Sequence, residues 1–424
     1  MTRWLSLSCL GLVLVCLGLV VSGCGTAVDM EDVGFVVALG VDSEDDGKVR
    51  LWLEVAEPGM GVESLAKQET LLASTEGDTL YDAFIKLETR SSRNLTLGHV
   101  RTIVIGERLA RAGLRQAVDA LMRDATLRLK AWVLVTPDPV EEVLSLSIAG
   151  QPAGMFIGSL MQREAQRAGA PSSRIVDLVM HIEERGVQPL IARVGLARES
   201  ESAGGGGGGA EGGAAQGSAS GGDGSGTSMN LSDMFVLNGA AVFKGDKMVG
   251  WLDARQSAAA VIINSRIQGY EFIHKLSADG DESIGVNLMS AHAEVSIPRE
   301  CLADAEKVEG CTVEVKVNGL WGMRELISDD QFMTEEGVVA LNKSISARLK
   351  RDTDDMLRVI QTELGSDVIG IGEVFRQRMA HSNWKKISGE WDTLFQSLNI
   401  KVIVNVAGRR RGQILRSLSE DKAI

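Results

Sequence analysis

The chain predicts an α+β fold, with mixed and antiparallel sheets, packed helices and two or three domains. Three observations carry that prediction. Runs rich in β-branched residues alternate with amphipathic helical stretches through both halves of the 424-residue chain. A glycine-rich stretch divides the halves, and an apolar run, Trp4 to Val21, precedes them both.

The N-terminal half opens with "VGFVVALGVD" and "KVRLWLEVAEP" around the polar "SEDDG", the pattern of an antiparallel hairpin. In "TLYDAFIKLETRSSR", Leu80, Phe84 and Leu87 recur at helical spacing. The strand "VRTIVIG" leads into a helix, "ERLARAGLRQAVDALMRD", that turns Leu114, Ala117, Val118 and Leu121 to one side. The strand "KAWVLVTP" follows, and then a helix whose start carries Asp138 as cap, Pro139 in the first turn and Glu141 as capping-box acid. Strands alternating with helices suit an α/β sheet, but the opening hairpin favours a mixed one.

The stretch 203–226 has no aromatic or branched apolar residue and cannot offset the entropy of ordering, so it reads as a flexible linker. The predicted division is 1–23, a signal peptide; 24–202, an N-terminal α+β region of one or two domains; 203–230, the linker; and 231–424, a C-terminal α+β domain. That last domain begins with "GAAVF" and "MVGWLD" about the turn "KGDK". "TVEVKVN" then alternates, with Val313, Val315 and Val317 on one face. A helix of about thirty residues follows, from Glu335 to Leu364, long enough at roughly 45 Å to cross a sheet. Trp384, Trp391 and Phe395 share one side of a later helix, and "IKVIVNVAG" with a return through "GQILRS" ends the chain.

The N-terminal run stops at Val21, Ser22, Gly23 and Cys24, a bulky apolar residue and two small ones before a thiol. That order resembles the bacterial lipobox, in which the cysteine takes a diacylglycerol and the chain is cut before it, making Cys24 the lipid-attachment residue. An uncleaved anchor with an incidental cysteine is the competing reading. Both export the rest, because Arg3 precedes the run while Asp29, Glu31 and Asp32 follow it. One acyl chain binds only marginally, so stable attachment needs the two or three that a lipidated cysteine carries.

Composition is that of a folded body, 44% hydrophobic and 24% charged, with a net charge of −13 that argues against nucleic acid as partner and against general adhesion to anionic lipid. Beyond the signal and Cys24, two cysteines remain. Cys301 and Cys311 bracket "CLADAEKVEGC", and their spacing leaves open both a disulfide, permitted in an exported protein, and two free thiols. No catalytic or metal site emerges. Gly207, Gly209 and Gly212 match a phosphate-loop pattern without a strand before it; Ser64 and Lys67 match S-x-x-K without its companion motifs; the five histidines lack metal-ligand spacing. Arg409, Arg410 and Arg411 read as a solvated turn, with headgroups or an acidic partner as the functional alternative, and His99 reads as a packed imidazole.

Several blocks, in order behind the lipobox, resemble the Ger(x)C family, the C subunits of bacterial spore nutrient germinant receptors. They are "EDVGFVVALGVD", "SSRNLTLGHVRTIVIGERLAR", "LMRDATLRLKAWVLV", "GAAVFKGDKMVGWLD" and "SDVIGIGEVFRQRMAHSNWKKISGEWDTLF". The resemblance implies three α+β domains, no catalytic centre and no cofactor. It also implies assembly with a polytopic A subunit and a transporter-like B subunit, and a lipid-anchored place on the outer face of the spore inner membrane. Cys24 matches the lipid-bearing cysteine, while Ser92, Arg93, Gly98, His99, Gly250, Trp251, Asp367, Gly370, Gly372, Trp384 and Trp391 match family-typical positions. The chain departs from the family in "GTAVDM" after Cys24 and in its long glycine insert. A solute-binding lipoprotein feeding a transporter is the alternative function, for which a long glycine linker makes a poor hinge.

Overall fold

The computed structural model describes residues 32–56, 70–148, 150–183, 186–197, 235–264, 267–276, 282–327 and 334–409. Cys24, the apolar run before it, Ser64, Lys67, the linker, Arg410, Arg411 and "GQILRS" lie outside them.

Two sheets organise the chain, and the α+β class with mixed sheets is what the structure has. The first contains nine strands: β1 (Val33–Ser43), β2 (Val49–Ala56), β3 (Thr70–Gly77), β4 (Asn94–Thr96), β5 (Thr102–Gly106), β6 (Trp132–Thr136), β7 (Leu190–Leu196), β8 (Phe235–Lys244) and β9 (Lys247–Leu252). Their order is β3-β2-β1-β5-β6-β7-β8-β9, with β4 beside β1. The centre is parallel, from β1 through β5 and β6 to β7, and both flanks are antiparallel. β5 and β6 are buried at every position, as expected of parallel strands covered on both faces.

Helices cover each face. On one lie α1 (Leu80–Glu88), α2 (Glu107–Ala112), α3 (Arg115–Met122) and, past the crossover, α6 (Ile175–Glu183); on the other lie α4 (Val140–Ser145) and α5 (Ala153–Glu164). Leu114, Ala117, Val118 and Leu121 are all buried, but the single helix predicted there is broken. Gly113 sits at φ 131, outside helical space, and Leu114 N donates to Asp246 O in the β8–β9 turn, so a tertiary bond replaces the helical one. The cap predicted at Asp138 is also absent. Its Oδ2 accepts instead from Leu196 N, fastening the end of β6 to β7, and Pro139 occupies the cap position of α4.

The second sheet has order β10-β11-β12-β13: β10 (Glu271–Lys275), β11 (Ser283–Ser296), β12 (Thr312–Ile327) and β13 (Asn399–Gly408), the last parallel to β12. Its core joins α7 (Ala254–Asn264), α9 (Glu335–Arg358), α10 (Ile371–Arg378), α11 (His381–Ile387) and α12 (Trp391–Ser397), with the short α8 (Arg299–Ala303) between β11 and β12. Leu341, Ile345 and Leu349 form the buried stripe of α9, whose helical course continues as a π turn, Val359–Glu363. Trp384 and Trp391 are packed as the periodicity predicts, but on two short helices with ring centroids 5.5 Å apart.

The glycine-rich stretch does not divide the sheets. β8 and β9, which follow it, pair onto β7 and complete the first sheet, so the hairpin expected to open the C-terminal body belongs to the N-terminal one. The register explains why: Leu190 to Leu196 presents a free antiparallel edge, and on β8 the fully buried Ala241 and Phe243 join one core of the first sheet while Val242, on the opposite face, joins the core of the second. α7 spans the gap. It is buried from Ser257 to Ile263 on all sides because it packs on β8, on β11 and on α9.

Candidate functional site

Five of the residues that resemble family positions, Asp367, Gly370, Gly372, Trp384 and Trp391, converge near the joint between the two sheets. After the π turn, Gly365 to Gly372 runs beneath the first sheet and places Asp367, fully buried, at the N-terminus of α10. Asp367 Oδ1 accepts from Ile371 N at 3.1 Å, and Oδ2 accepts from Gly372 N at 2.7 Å and from Trp391 Nε1 at 2.9 Å. Burial pushes this carboxyl up to about 6, and those donors pull the other way. The backbone of α10 and the Trp391 side chain of α12 are thereby tied to one carboxylate, near the positive end of a helix dipole.

That loop is gripped from the other sheet. Gln188, just before β7, donates its N–H to Asp367 O at 2.9 Å and its Nε2 to Asp392 Oδ1 at 3.0 Å, while its Oε1 accepts from Gly245 N at 2.7 Å. Ser366 Oγ donates to Phe243 O, and Asn264 Nδ2 to Val368 O at 2.7 Å. The closest approach is between glycines: a Cβ on Gly372 would lie 2.7 Å from Gly186 Cα and 2.4 Å from Trp391 Nε1. Chemically, the joint binds mostly side chain to backbone and leaves the Asp367 carboxylate sealed from solvent.

The remaining matched residues are dispersed. Gly250 lies under Leu364, and Trp251 Nε1 donates to Glu107 Oε1 at 3.2 Å beneath the Arg193 guanidinium. His99 meets Phe35 edge-on, centroids 4.7 Å apart, but it is exposed, not packed in a core as the sequence reading expected. Ser92 is exposed in the turn before β4. Arg409 is exposed and donates its N–H to Trp321 O. Cys301 and Cys311, both buried in the second core, have sulfur atoms 2.15 Å apart and Cα atoms 6.4 Å apart. Among the described residues, no group of three or more His, Cys, Asp and Glu is placed to hold a metal, and no helix is long and apolar enough to cross a membrane. A cleft of about 240 Å³ opens between the ends of β6, β7 and β8, lined by Asp138, Arg193 and Asn238.

Two buried carboxylates escaped the sequence reading. Glu54 on β2 is 2% exposed and accepts from Ala153 N and Gly154 N, both at 2.8 Å, at the start of α5; burial raises it to about 7. Asp42 on β1 accepts from Leu109 N at 3.0 Å in α2. Both are strand carboxylates capping a helix distant in sequence, whereas Asp367 caps α10 from the loop four residues before it. The available signal was a lone acid inside an apolar strand, "LWLEVA" for Glu54.

Known proteins agree with this architecture. Residues 26–196 match the family described as spore germination protein N-terminal domain, and 238–412 match the family described as spore germination B3/GerAC like, C-terminal. The chain is 23% identical over 419 residues to the putative spore germination protein YfkR of Bacillus subtilis (strain 168), covering 96% of this chain and 97% of that protein. It is 23% identical over 422 residues to spore germination protein KC of the same organism, covering 95% of each. The crystal structure of the GerBC protein superposes with a TM-score of 0.50 at 16% identity, over 90% of this chain and all of that one. With both family regions matched in order across most of its length, the chain belongs to the Ger(x)C family of spore germination proteins.

Proposed function

We propose that this protein is a lipid-anchored, non-enzymatic subunit of a spore nutrient germinant receptor. Acylated Cys24 holds it on the outer face of the spore inner membrane, and it assembles there with a polytopic A subunit and a transporter-like B subunit. The observation that carries this reading is the co-linear match of both family regions, the first beginning at residue 26, two residues after the lipobox cysteine. Its work is then coupling: contacts with its partners favour one receptor state over another, through a body that moves as a unit. The joint around Asp367 supports such a body, because it fastens the two sheets through buried hydrogen bonds rather than through the linker.

An exported site also suits a Cys301–Cys311 disulfide, closing a loop of sequence separation 10. In this reading 203–230 joins a 24–202 region to a 231–424 domain, which the gap between the matched regions 26–196 and 238–412 supports, although the first sheet draws strands from both sides.

The test is co-purification of the tagged protein from spore membranes together with mass spectrometry of its mature N-terminus. Polytopic partners and a diacylglyceryl Cys24 are expected, and Cys24→Ala yields a folded body released from the membrane or retained as precursor. A bare sulfur on Cys24, or Met1 still attached, refutes the anchor; an absence of polytopic partners refutes the receptor assignment.

A further inference from the structure

We propose that the rim at the amino ends of β1, β4, β5 and β6 is a docking surface for an anionic phospholipid bilayer, with Arg101, Arg128 and Lys130 facing headgroup phosphates and Leu129 reaching the interface. This rests on the reading of Cys24 as the lipid anchor.

The four strands run parallel, so their amino ends share one edge of the sheet. Thr102 pairs with Trp132, and Trp132 N donates to Arg101 O, which brings Arg101 beside the residues that lead into β6. The turn before β6 is held from behind. Val176 N donates to Leu129 O, Ile175 N to Ala131 O, and Arg174 Nη1 to Lys130 O at 2.7 Å. With the backbone held in this way, the side chains of Arg128, Leu129 and Lys130 are all exposed, Leu129 by 49%.

Charge is distributed unevenly about this rim. Arg123, at the end of α3, pairs with Asp119, but Arg101, Arg128 and Lys130 make no ion pair among the described residues. On a chain of net charge −13, three unmatched cations beside an exposed leucine form a local reversal of sign. Whole-chain charge argued against adhesion to anionic lipid, but headgroups sense only charges within about a Debye length of roughly 8 Å.

The tether supplies the second constraint. Eight residues, 25–32, separate Cys24 from Val33, and fully extended they allow roughly 30 Å between the lipidated sulfur and the start of β1. Since β1 starts at this same edge, an anchored body holds the rim, rather than the far ends of the strands, nearest the headgroups. Asp29, Glu31 and Asp32 within the tether are the competing occupant of the rim.

The experiment uses the full acylated chain on phosphatidylcholine vesicles with and without phosphatidylglycerol. Lys130 and, as reference, Lys401 on the second sheet are acylated with a water-soluble reagent and read by mass spectrometry. Sedimentation with pure phosphatidylcholine reports the anchor alone. On phosphatidylglycerol, Lys130 but not Lys401 is expected to be protected, less so in high salt. Arg101→Gln with Arg128→Gln lowers the docked-to-free ratio about 25-fold, at about fivefold per cation near the surface. Lys130 equally reactive on both vesicles overturns the rim while leaving the anchor standing. Protection that ignores phosphatidylglycerol and the double substitution assigns the rim to the acidic tether and also overturns it. A chain that sediments with neither vesicle refutes anchor and rim together.

Discussion

Gly372→Ala tests whether the joint is as tightly fitted as its geometry requires. The new methyl would start 2.4 Å from Trp391 Nε1, 2.5 Å from Trp391 Cε2 and 2.7 Å from Gly186 Cα, all far inside van der Waals contact. Trp391 cannot swing aside cheaply. It is 3% exposed, with Phe375 and Trp384 centroids at 5.2 and 5.5 Å, and its Nε1 is committed to Asp367 Oδ2. Forcing a carbon into such a core costs about 1–3 kcal/mol. Breaking a hydrogen bond to a buried carboxylate costs about 1.5–3 kcal/mol more. The expected loss is therefore about 3–5 kcal/mol, a large share of the roughly 5–15 kcal/mol that typically separates folded from unfolded. Urea denaturation followed by tryptophan emission and near-ultraviolet circular dichroism measures it. Gly98→Ala is the control, since a Cβ there meets only Thr96 Oγ1 at 3.4 Å and Thr126 O at 3.6 Å, and a cost below about 1 kcal/mol is expected. If Gly372→Ala is as mild as Gly98→Ala, with the tryptophan signals unchanged, the account of Asp367 as the lock between α10 and α12 is wrong.

Acid dependence follows from the two buried carboxyls. Glu54 is raised from 4.5 to about 7 and Asp367 from 3.8 to about 6, so the folded state holds each proton more tightly than the unfolded chain. Their contribution is complete below the unfolded values and is lost as pH rises through the folded ones. For Glu54 this is on the order of 3 kcal/mol between about pH 4.5 and about pH 7, at about 1.4 kcal/mol per pH unit. Denaturant midpoints across that window should fall in the wild type and fall less in Glu54→Gln, where Asp367 alone remains; parallel curves would remove Glu54 from the explanation. Replacing Cys301 and Cys311 together by alanine should cost about 3 kcal/mol in the oxidised protein and nothing once the wild type is reduced, as calorimetry with and without reductant would show. Deleting Gly204 to Gly209 should move the melting temperature little, because loop closure changes by only about 0.6 kcal/mol per doubling of length; a drop of many degrees would mean that the run is packed.

Much of the chain was legible as local pattern, and the failures share a cause. Val313, Val315 and Val317 alternate and are buried, and Leu341, Ile345 and Leu349 recur every turn and form the seam of α9, because side-chain period is a property of the strand or helix itself. Asp138 was misread since its position before a proline suits a cap, yet a partner 58 residues away, Leu196 N, takes its carboxylate. The break at Gly113 likewise depends on Asp246. Of the joint, Asp367, Gly370, Gly372, Trp384 and Trp391 were flagged by family resemblance, but nothing local marked Gln188 or Gly186 as their partners.

Taken alone, the sequence determined the class of the fold, the periodic elements such as β1, β2, β5, β6, β12 and α9, the family, and the apolar run that ends three residues before Cys24, all of which are written in period, composition and short motifs read along the chain. Only the tertiary structure decided which sheet β8 and β9 join, which helices Glu54 and Asp42 cap, and that Arg101, Arg128 and Lys130 share an edge. Those outcomes are contacts between residues distant in sequence. They follow from which edges and faces remain unburied once the local elements have formed, and no window of neighbouring residues contains that information.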